Sequence, residues 1–353
     1  MIYVENSFTC FFAIFFPGFL GQIVLLSFSK SRKKSDRKIF IKFRTNKFKT
    51  TSKSGKAGCF ILRCLTRPLA ILPLGFHRKC GRLIGKIACN MVRYRRDVVM
   101  INLARSFPDK KYGELQDICR HTYAHFGKII GEAVWFGAST PSRLRKSKVA
   151  RLTNPELLNG CYDEGLSVFV MGSHSGNWEL FGGYRFYSDE HIKYPERNMC
   201  VIYKKLSSPT WELFMKKNRQ AAVEDKEHYD GMVESYSLMR YVIRHKNERM
   251  FYNIVTDQYP YSDSSKVRVS DFMHQPTWSM DGAPALAHKL GMAVLYLRMR
   301  EMEDGNYEMT FVPICKDARQ MEEKDILDRY YALLQEDIEE QPWNYLWTHK
   351  RWK

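Results

Sequence analysis

The chain has 353 residues, of which 44% are hydrophobic and 14% are aromatic. This is enough apolar material for a substantial core, so the composition excludes a wholly disordered chain. The formal net charge is +18, from 56 Lys and Arg against 38 Asp and Glu. Such a balance favours a polyanionic partner, which includes nucleic acid, an anionic membrane surface, a phosphorylated lipid or an acidic protein.

The positive charge is concentrated near the amino terminus. Residues 1–70 contain fourteen Lys and Arg against Glu5 and Asp36, so this segment carries +12 of the net charge. The rest of the chain is only mildly basic. Most of the charge therefore describes the amino-terminal segment and not the body of the protein.

An uncharged apolar segment, residues 10–28, precedes the basic run. Its length approaches the roughly 20 residues that cross a bilayer core. No Lys or Arg precedes it and no Ala-x-Ala site follows it, which disfavours a cleavable signal peptide. The sequence predicts an uncleaved anchor in the cytoplasmic (inner) membrane, with the rest of the chain facing the cytoplasm. A buried helix, or an over-long start outside the working protein, are the alternatives.

Three regions are predicted along the chain: a hydrophobic anchor and basic linker over 1–60, an interfacial or amphipathic segment over 61–110, and an α/β domain over 111–353. Residues 65–92 mix apolar and basic side chains, as in a helix that lies in a membrane interface. An ordinary amphipathic helix fits equally well. The nine cysteines are scattered without a C-x-x-C pair, so neither a disulfide framework nor a metal site is expected.

Apolar periodicity predicts a long helix over 112–136. Short apolar runs beyond it predict strands, and helix-like stretches alternate with them. This alternation indicates an α/β fold with a largely parallel central sheet flanked by helices, in which ligands bind beyond the carboxyl ends of the strands. The predicted strands are 166–171, 199–203, 250–255, 293–299 and 307–313, and the further helices are 209–219, 234–245, 284–290 and 321–340.

The residues after the first predicted strand carry the clearest chemical signal. A turn with His174 at its tip leads into a predicted helix that contains Glu179. On one continuous helix these two residues would lie about 140° apart. With His174 in the turn, however, the chain can fold back, so that Glu179 bonds one imidazole nitrogen and the other takes a proton. Ser175 or Asn177 would cap the helix, whose free N–H groups suit an anion or a developing oxyanion.

Other readings of this turn fit less well. A serine-hydrolase elbow needs Ser at the centre of G-x-S-x-G, where this chain has His174. A zinc site would need further ligands at a spacing such as H-E-x-x-H, which is absent around the turn. A histidine that merely caps a helix stays open as an alternative.

The string from His174 to Glu179 resembles the H-x-x-x-x-[DE] motif of the glycerolipid acyltransferase superfamily. His-Ser-Gly-Asn-Trp-Glu in particular resembles the bacterial lipid A biosynthesis (lauroyl/myristoyl) acyltransferase family. Further matches follow in the right order over residues 66–353. They are Arg95-Arg96 with Asn102-Leu103 and Phe107-Pro108, then Asp257-Gln258, the Ala283–Ala287 segment, Asp304–Tyr307, and the tail Pro342–Lys353 with Tyr345 in place of the family's first Trp.

The resemblance implies a membrane-associated enzyme that moves a fatty acyl chain from an acyl carrier protein thioester to a hydroxyl of a phosphorylated glycolipid acceptor, a lipid A precursor. It implies no cofactor besides the thioester co-substrate. His174 would be the general base and Glu179 would orient it. Because the hydroxyl attacks the thioester directly, no Ser or Cys nucleophile is needed.

The resemblance also suggests positions that bind substrate. The family's Tyr-Arg-Pro is replaced by Tyr203-Lys204-Lys205, so Lys204 would have to serve without the bidentate fork of arginine. Lys204, Asp257 and Asn177 are predicted to stabilise the oxyanion or position the substrate, although Asp257 fits a structural role equally well. Contacts to phosphates or to the carrier protein are predicted for Arg95, Arg96, Lys205 and Arg351.

Two other functions stay open from the sequence. Acylation of another lipid, such as an aminolipid or a glycolipid, would use the same catalytic residues with a different acceptor pocket. A non-enzymatic basic membrane protein that binds anionic lipid or nucleic acid would explain residues 1–70 but not the ordered motifs. Because no nucleic-acid-binding motif is recognisable, no nucleic acid partner is expected.

Overall fold

A computed structural model describes residues 53–260 and 264–352 of the chain. The predicted anchor over 10–28 lies outside this part. The described strands are β1 (Ala150–Leu152), β2 (Val168–Gly172), β3 (Met199–Tyr203), β4 (Met232–Glu234), β5 (Phe251–Val255), β6 (Val267–Phe272), β7 (Gln275–Ser279), β8 (Ala293–Glu301) and β9 (Tyr307–Cys315).

Seven of these strands form the central sheet, in the order β1-β9-β8-β2-β5-β3-β4. Strands β8, β2, β5, β3 and β4 are parallel, whereas β9 pairs antiparallel with β8 and parallel with β1. Strands β6 and β7 form a separate antiparallel hairpin. The predicted largely parallel sheet is confirmed, and its short edge strands β1 and β4 are additions.

Strand β2 lies near the middle of the sheet and is buried on both faces. Phe169 and Met171 belong to the apolar cluster on one face, while Val168 and Val170 belong to the cluster on the other. Helices cover both faces of a parallel sheet, which is why the central strand is a continuous apolar run without polar alternation.

The helices flank this sheet. The expected long helix is confirmed as α4 (Tyr112–Phe136), whereas the helix expected over 234–245 is split, because β4 and a short 3₁₀ turn come before α8 (Leu238–Arg244). The described α-helices are α1 (Lys53–Ala70), α2 (Leu74–Ile87), α3 (Arg96–Ser106), α4 (Tyr112–Phe136), α5 (Pro141–Ser147), α6 (Pro155–Asp163), α7 (Pro209–Arg219), α8 (Leu238–Arg244), α9 (Gly282–Leu290) and α10 (Glu323–Glu340).

The amphipathic segment expected over 65–92 is broken into parts. Helix α1 ends at Ala70, Pro73 precedes α2, and a π-helix over Ala88–Val92 follows α2. Helices α2 and α4 pack closely, because a Cβ atom on Gly85 would lie 2.0 Å from the Tyr123 carbonyl oxygen. In the described part, no single helix is long and apolar enough to cross a membrane. Helix α1, taken together with α2 and the π-helix that follows it, is long and apolar enough to cross a membrane, but the two parts are bent by 119° relative to each other.

Candidate active site

The sheet register brings two side chains together at the carboxyl ends of neighbouring strands. Strands β2 and β5 are paired so that Gly172 lies opposite Val255. His174 and Asp257 are each two residues past this pair, one beyond each strand. The His174 Nδ1 atom lies 2.8 Å from the Asp257 Oδ1 atom, and the His174 backbone N–H donates to the same oxygen at 3.2 Å.

These contacts define the hydrogen-bonding state of the imidazole. Nδ1 donates to the Asp257 carboxylate, so in the neutral ring Nε2 is the acceptor. The Gln258 side-chain Nε2 lies 3.1 Å from the His174 Nε2 and donates to it. His174 lines an adjacent cleft. An oriented imidazole with a basic nitrogen beside a cleft is the geometry of a general base.

The environment of Asp257 favours its anionic form, which suits it to hold His174. Burial of its side chain opposes ionisation, but the charge and hydrogen bond of His174, together with the charge of Arg351, outweigh it and lower the pKa of Asp257. Burial, followed by the charge of His174, lowers the pKa of His349 to about 3. His349 is therefore a neutral side chain in the cleft at ordinary pH.

The structure corrects the expected bond between Glu179 and His174. Glu179 is 1% exposed, and both of its carboxylate oxygens accept from Arg219 at the end of α7. Arg219 Nε lies 2.8 Å from Oε2 and Nη2 lies 2.7 Å from Oε1, a bidentate ion pair. The sheet supplies the histidine with Asp257 instead, because β5 is the strand hydrogen-bonded to β2. Glu179 and Arg219 both line the cleft.

The predicted helix after the His174 turn is a 3₁₀ helix over Trp178–Phe186, and its cap is confirmed as Asn177. The Asn177 Oδ1 accepts from the Glu179 N–H at 3.1 Å, and its Nδ2 donates to the buried Glu132 carboxylate at 2.8 Å. Asn177 is fully buried. Because both ends of its amide are used inside the protein, the role of Asn177 is to hold the turn, and its expected part in oxyanion binding is corrected.

The cleft beside His174 has a volume of about 240 Å³. Its wall is mainly apolar, and cations lie among the lining residues. Apolar lining residues include Trp178, Phe181, Ile202, Trp211, Met215 and Ile254, and the cations are Arg95, Lys204, Lys205 and Arg219. A deep apolar surface with charged groups suits an amphiphile that has a hydrocarbon tail and an anionic head.

The predicted phosphate or carrier contacts divide into two groups. Arg95 and Lys205 line the cleft, as does Lys204. Arg351 is not placed for the predicted contact: it is 2% exposed, and its Nη2 donates to the Trp278 carbonyl and the Tyr331 hydroxyl. The Arg96 guanidinium lies beside Cys119, away from the cleft residues. Arg351 is therefore held inside the chain's own packing, whereas Arg96 is half-buried and is not among the residues that line the cleft.

Comparison with known protein families decides the class of the protein. The sequence matches the family model described as bacterial lipid A biosynthesis acyltransferase over residues 45–353. The chain belongs to this family. It is therefore an enzyme, an acyltransferase of lipid A biosynthesis, and the resemblance seen in the motifs is confirmed. The match begins inside the predicted basic linker. No curated protein gives a significant match.

Sequence reasoning gave no role to two residues of this lipid A acyltransferase site, Arg219 and Gln258, and named His349 only within the basic carboxy-terminal tail. Arg219 and His349 line the cleft, and Gln258 donates to His174. Gln258 lies three residues past the predicted strand 250–255, so its position was a usable signal. Arg219 lies 40 residues beyond its partner Glu179 at the end of a helix, where nothing in the sequence distinguishes it from a surface base. In the described part of the chain, no cluster of three or more His, Cys, Asp or Glu could hold a metal ion.

Proposed function

We propose that this enzyme transfers a fatty acyl group from an acyl carrier protein thioester to a hydroxyl of a lipid A precursor, with His174 as the general base. The observation that carries the proposal is the 2.8 Å contact between His174 Nδ1 and Asp257, which leaves Nε2 as the basic atom on a cleft with an apolar wall. A positioned base of this kind contributes roughly 10²- to 10⁴-fold to a rate.

The proton and the acyl group move in one cycle. The acceptor hydroxyl displaces the Gln258 amide from His174 Nε2 and gives its proton to that nitrogen. Its oxygen attacks the thioester carbonyl and the carbon–sulfur bond breaks. The imidazolium, held by Asp257, then returns the proton to the departing thiolate. No covalent acyl-enzyme forms, so no nucleophilic side chain is consumed.

Arg219 takes the electrostatic role that the resemblance assigned to Lys204. The two hydrogen bonds that Arg219 donates to Glu179 fix the guanidinium plane, so Arg219 faces the cleft without reorganisation when negative charge develops on the thioester oxygen. Lys204 carries the same charge on a flexible stem. Glu179 is then a positioning residue for Arg219 and not for His174.

Arg95, Lys204 and Lys205 are proposed to meet the phosphates of the acceptor or of the carrier's prosthetic arm, because all three line the cleft. Arg95 has a positive φ of 51°, which places its side chain beside the carboxy-terminal segment, where its Nη1 donates to the Thr348 carbonyl. A residue other than glycine in this conformation stores strain, which proteins retain mainly where a side chain must be aimed.

Attachment to an anionic membrane surface is proposed for α1 and α2. Large apolar side chains on these helices and in the turn between them are exposed, among them Phe60 and Ile61 on α1 and Ile71 in the turn, which are 69%, 52% and 76% exposed. Bases such as Arg63 and Arg67 lie on the same helices. Apolar side chains mixed with bases are typical of surfaces that enter the headgroup region.

The reaction is tested with the full chain, an acyl carrier protein thioester and a phosphorylated lipid A precursor, with the product identified by mass spectrometry. We expect one added acyl ester in wild type and a loss of roughly 10²- to 10⁴-fold in Asp257→Asn, whose amide gives Nδ1–H a weaker acceptor. Transfer at the wild-type rate by Asp257→Asn would contradict the mechanism. Transfer to an aminolipid or another glycolipid, but not to the lipid A precursor, would contradict the assigned acceptor.

Membrane attachment is tested by sedimentation with vesicles of phosphatidylglycerol and phosphatidylethanolamine. The variant Phe60→Asp/Ile71→Asp should bind less than wild type, because two exposed apolar contacts become anions. Ile243→Asp on α8, where the isoleucine is also 57% exposed, is the matched control and should bind like wild type. Equal binding of all three proteins would exclude α1 and α2 as the attachment surface.

A further inference from the structure

The carboxy-terminal segment Pro342–Trp352 lies against the catalytic turn. It pairs with the turn as an isolated antiparallel bridge between Ser175 and Tyr345. The Gly176 N–H donates to the Asn344 carbonyl at 2.9 Å, and the Leu346 N–H donates to the His174 carbonyl at 3.1 Å. The backbone of His174 is therefore held at its own carbonyl and at the N–H two residues later.

The side chain of Asn344 strengthens this connection. Its Oδ1 also lies 3.1 Å from the Gly176 nitrogen, and its Nδ2 donates to the Met299 carbonyl of β8 at 2.8 Å and to the Gln341 side chain at 3.1 Å. Asn344 is 4% exposed. One buried amide thus ties the catalytic turn to β8, the strand that pairs with β2.

The turn needs support from outside itself. It belongs to no regular helix or strand, and Gly176 has a positive φ of 65°. Within the turn, the Ser175 N–H donates to the Ser173 hydroxyl at 3.2 Å. Buried backbone groups require partners, and here the carboxy-terminal segment supplies them. A change in that segment would therefore act on the position of His174.

The segment is rigid enough for this task. Trp347 is fully buried, and its indole N–H donates to the Pro342 carbonyl at 2.6 Å. Asn102 on α3 donates to the Trp347 and His349 carbonyls at 2.8 and 2.9 Å. These contacts fix the segment on both sides of the bridge to the turn.

We propose that Asn344 is a positioning residue for acyl transfer. It fixes the backbone of the catalytic turn, so that the His174 imidazole meets Asp257 and the cleft at the same time. This inference rests on the proposed function of His174 as general base. A misplacement of about 1 Å can cost roughly 10²-fold in rate. Leu346 of this segment lines the cleft, but most of the apolar wall comes from other elements, so binding of the acyl donor should be largely preserved.

The test compares Asn344→Ala with Asn198→Ala in the full chain. Asn198 is also buried, at 7% exposure, and donates one side-chain hydrogen bond to the Arg249 carbonyl, but it precedes β3 at the opposite end of the strand from the cleft. We expect kcat to fall at least about tenfold in Asn344→Ala, with KM for the acyl thioester within about twofold of wild type. Asn198→Ala should lower Tm and keep kcat near wild type.

A second variant, Asn344→Ser, provides the test if Asn344→Ala does not fold. Asn344→Ser keeps a short polar side chain and should give a kcat between those of wild type and Asn344→Ala. If kcat in the Asn344 variants falls no further than in Asn198→Ala at an equal loss of Tm, the positioning role is wrong. A rise in KM with unchanged kcat would also overturn it.

A spectroscopic readout separates this inference from the proposed reaction. In labelled protein without substrate, the proton shared by His174 Nδ1 and Asp257 gives a downfield NMR resonance. We expect Asn344→Ala to shift or broaden it and Asn198→Ala to leave it in place. An unchanged resonance in Asn344→Ala would overturn the positioning role. If the resonance changes as expected but wild type acylates no lipid A precursor, the proposed function fails, and only the role of Asn344 in placing His174 against Asp257 stands.

Discussion

Two histidine–carboxylate pairs in this protein have nearly the same local geometry. His174 Nδ1 lies 2.8 Å from Asp257, and His125 Nδ1 lies 2.7 Å from Glu301. The side chain of His174 is 15% exposed and faces the cleft. The side chain of His125 is 5% exposed, and its Nε2 is buried without a hydrogen-bond partner among the described residues. Both pairs therefore contain the same kind of hydrogen bond, but only His174 faces the cleft.

The two carboxylates also differ in their other hydrogen-bond donors. Glu301 accepts from the buried Lys128 ammonium at 2.7 Å as well as from His125. Burial opposes its ionisation, but His125 and Lys128 outweigh burial and lower the pKa of Glu301 to about 2. Within residues 53–260 and 264–352, Asp257 is bonded to a histidine and to no lysine. The Glu301 pair therefore stabilises the packing of α4 on β8, while the Asp257 pair is available for proton transfer.

The largest difference in kcat is expected between two variants in which each histidine in turn is replaced by glutamine. His174→Gln should lower kcat by roughly 10²- to 10⁴-fold, because the amide cannot take a proton from the acceptor. His125→Gln should keep kcat near wild type, since Glu301 retains Lys128. Steady-state kinetics with the acyl carrier protein thioester provide the measurement. A similar loss of kcat in both variants, at equal folded fraction, would remove the functional distinction between the pairs.

Glu301→Gln should show that the second pair is structural. The change leaves the Lys128 ammonium, whose side chain is fully buried, without its closest carboxylate. Breaking a buried ion pair on one side costs about 3–5 kcal/mol, which urea unfolding would detect. The folded fraction should keep its kcat. Loss of kcat with unchanged stability would instead place Glu301 in the catalytic machinery.

Arg219→Lys tests the ion pair that the structure gives to Glu179. A lysine keeps the charge but cannot make both hydrogen bonds, so the cation is no longer fixed. We expect about a tenfold loss of kcat, which is about 1.4 kcal/mol of transition-state stabilisation. Lys204→Met is the comparison and should lose less. The reverse order would return the electrostatic role to Lys204.

The smallest expected effect is the acid dependence of the Glu301 pair. Its pKa of about 2 in the folded protein lies below the ordinary value of 4.5, so the stability it contributes is complete above pH 4.5 and is lost as the pH falls toward 2. Between pH 7 and pH 3.5, the contribution of Glu301 to the free energy of unfolding should fall by about 1 kcal/mol. Urea unfolding at the two pH values should therefore show a smaller decrease for Glu301→Gln than for wild type. An equal decrease would mean that Glu301 is not held as an anion by its neighbours.

Much of this fold could be predicted because it follows local rules. The long apolar stripe of α4 and the apolar run of β2 are readable without the structure, since periodicity and length reflect burial. Strands β1 and β4 were missed because three residues carry no recognisable pattern. The split of the helix expected over 234–245 depends on the pairing of β4 with β3, which is a contact between distant parts of the chain.

The partner of the catalytic histidine illustrates the same limit. Glu179 is close to His174 in sequence, and proximity along the chain favoured it. Asp257 is 83 residues away and reaches the histidine because β2 and β5 are neighbours with aligned ends. The order of strands along the chain does not tell which strands are neighbours in the sheet. A partner chosen from the sequence alone is therefore the carboxylate nearest along the chain.

By itself, the sequence determined that this protein has an α/β domain, that His174 stands in a turn after a strand, and that the chain resembles the lipid A acyltransferase family. These are properties of periodicity and of short motifs, which neighbouring residues encode. Only the tertiary structure decided that Asp257 holds His174, that Arg219 holds Glu179, that Arg351 is buried, and that the carboxy-terminal segment supports the catalytic turn. Each of these depends on distant residues meeting in space, because hydrogen bonds and burial are set by packing and not by distance along the chain.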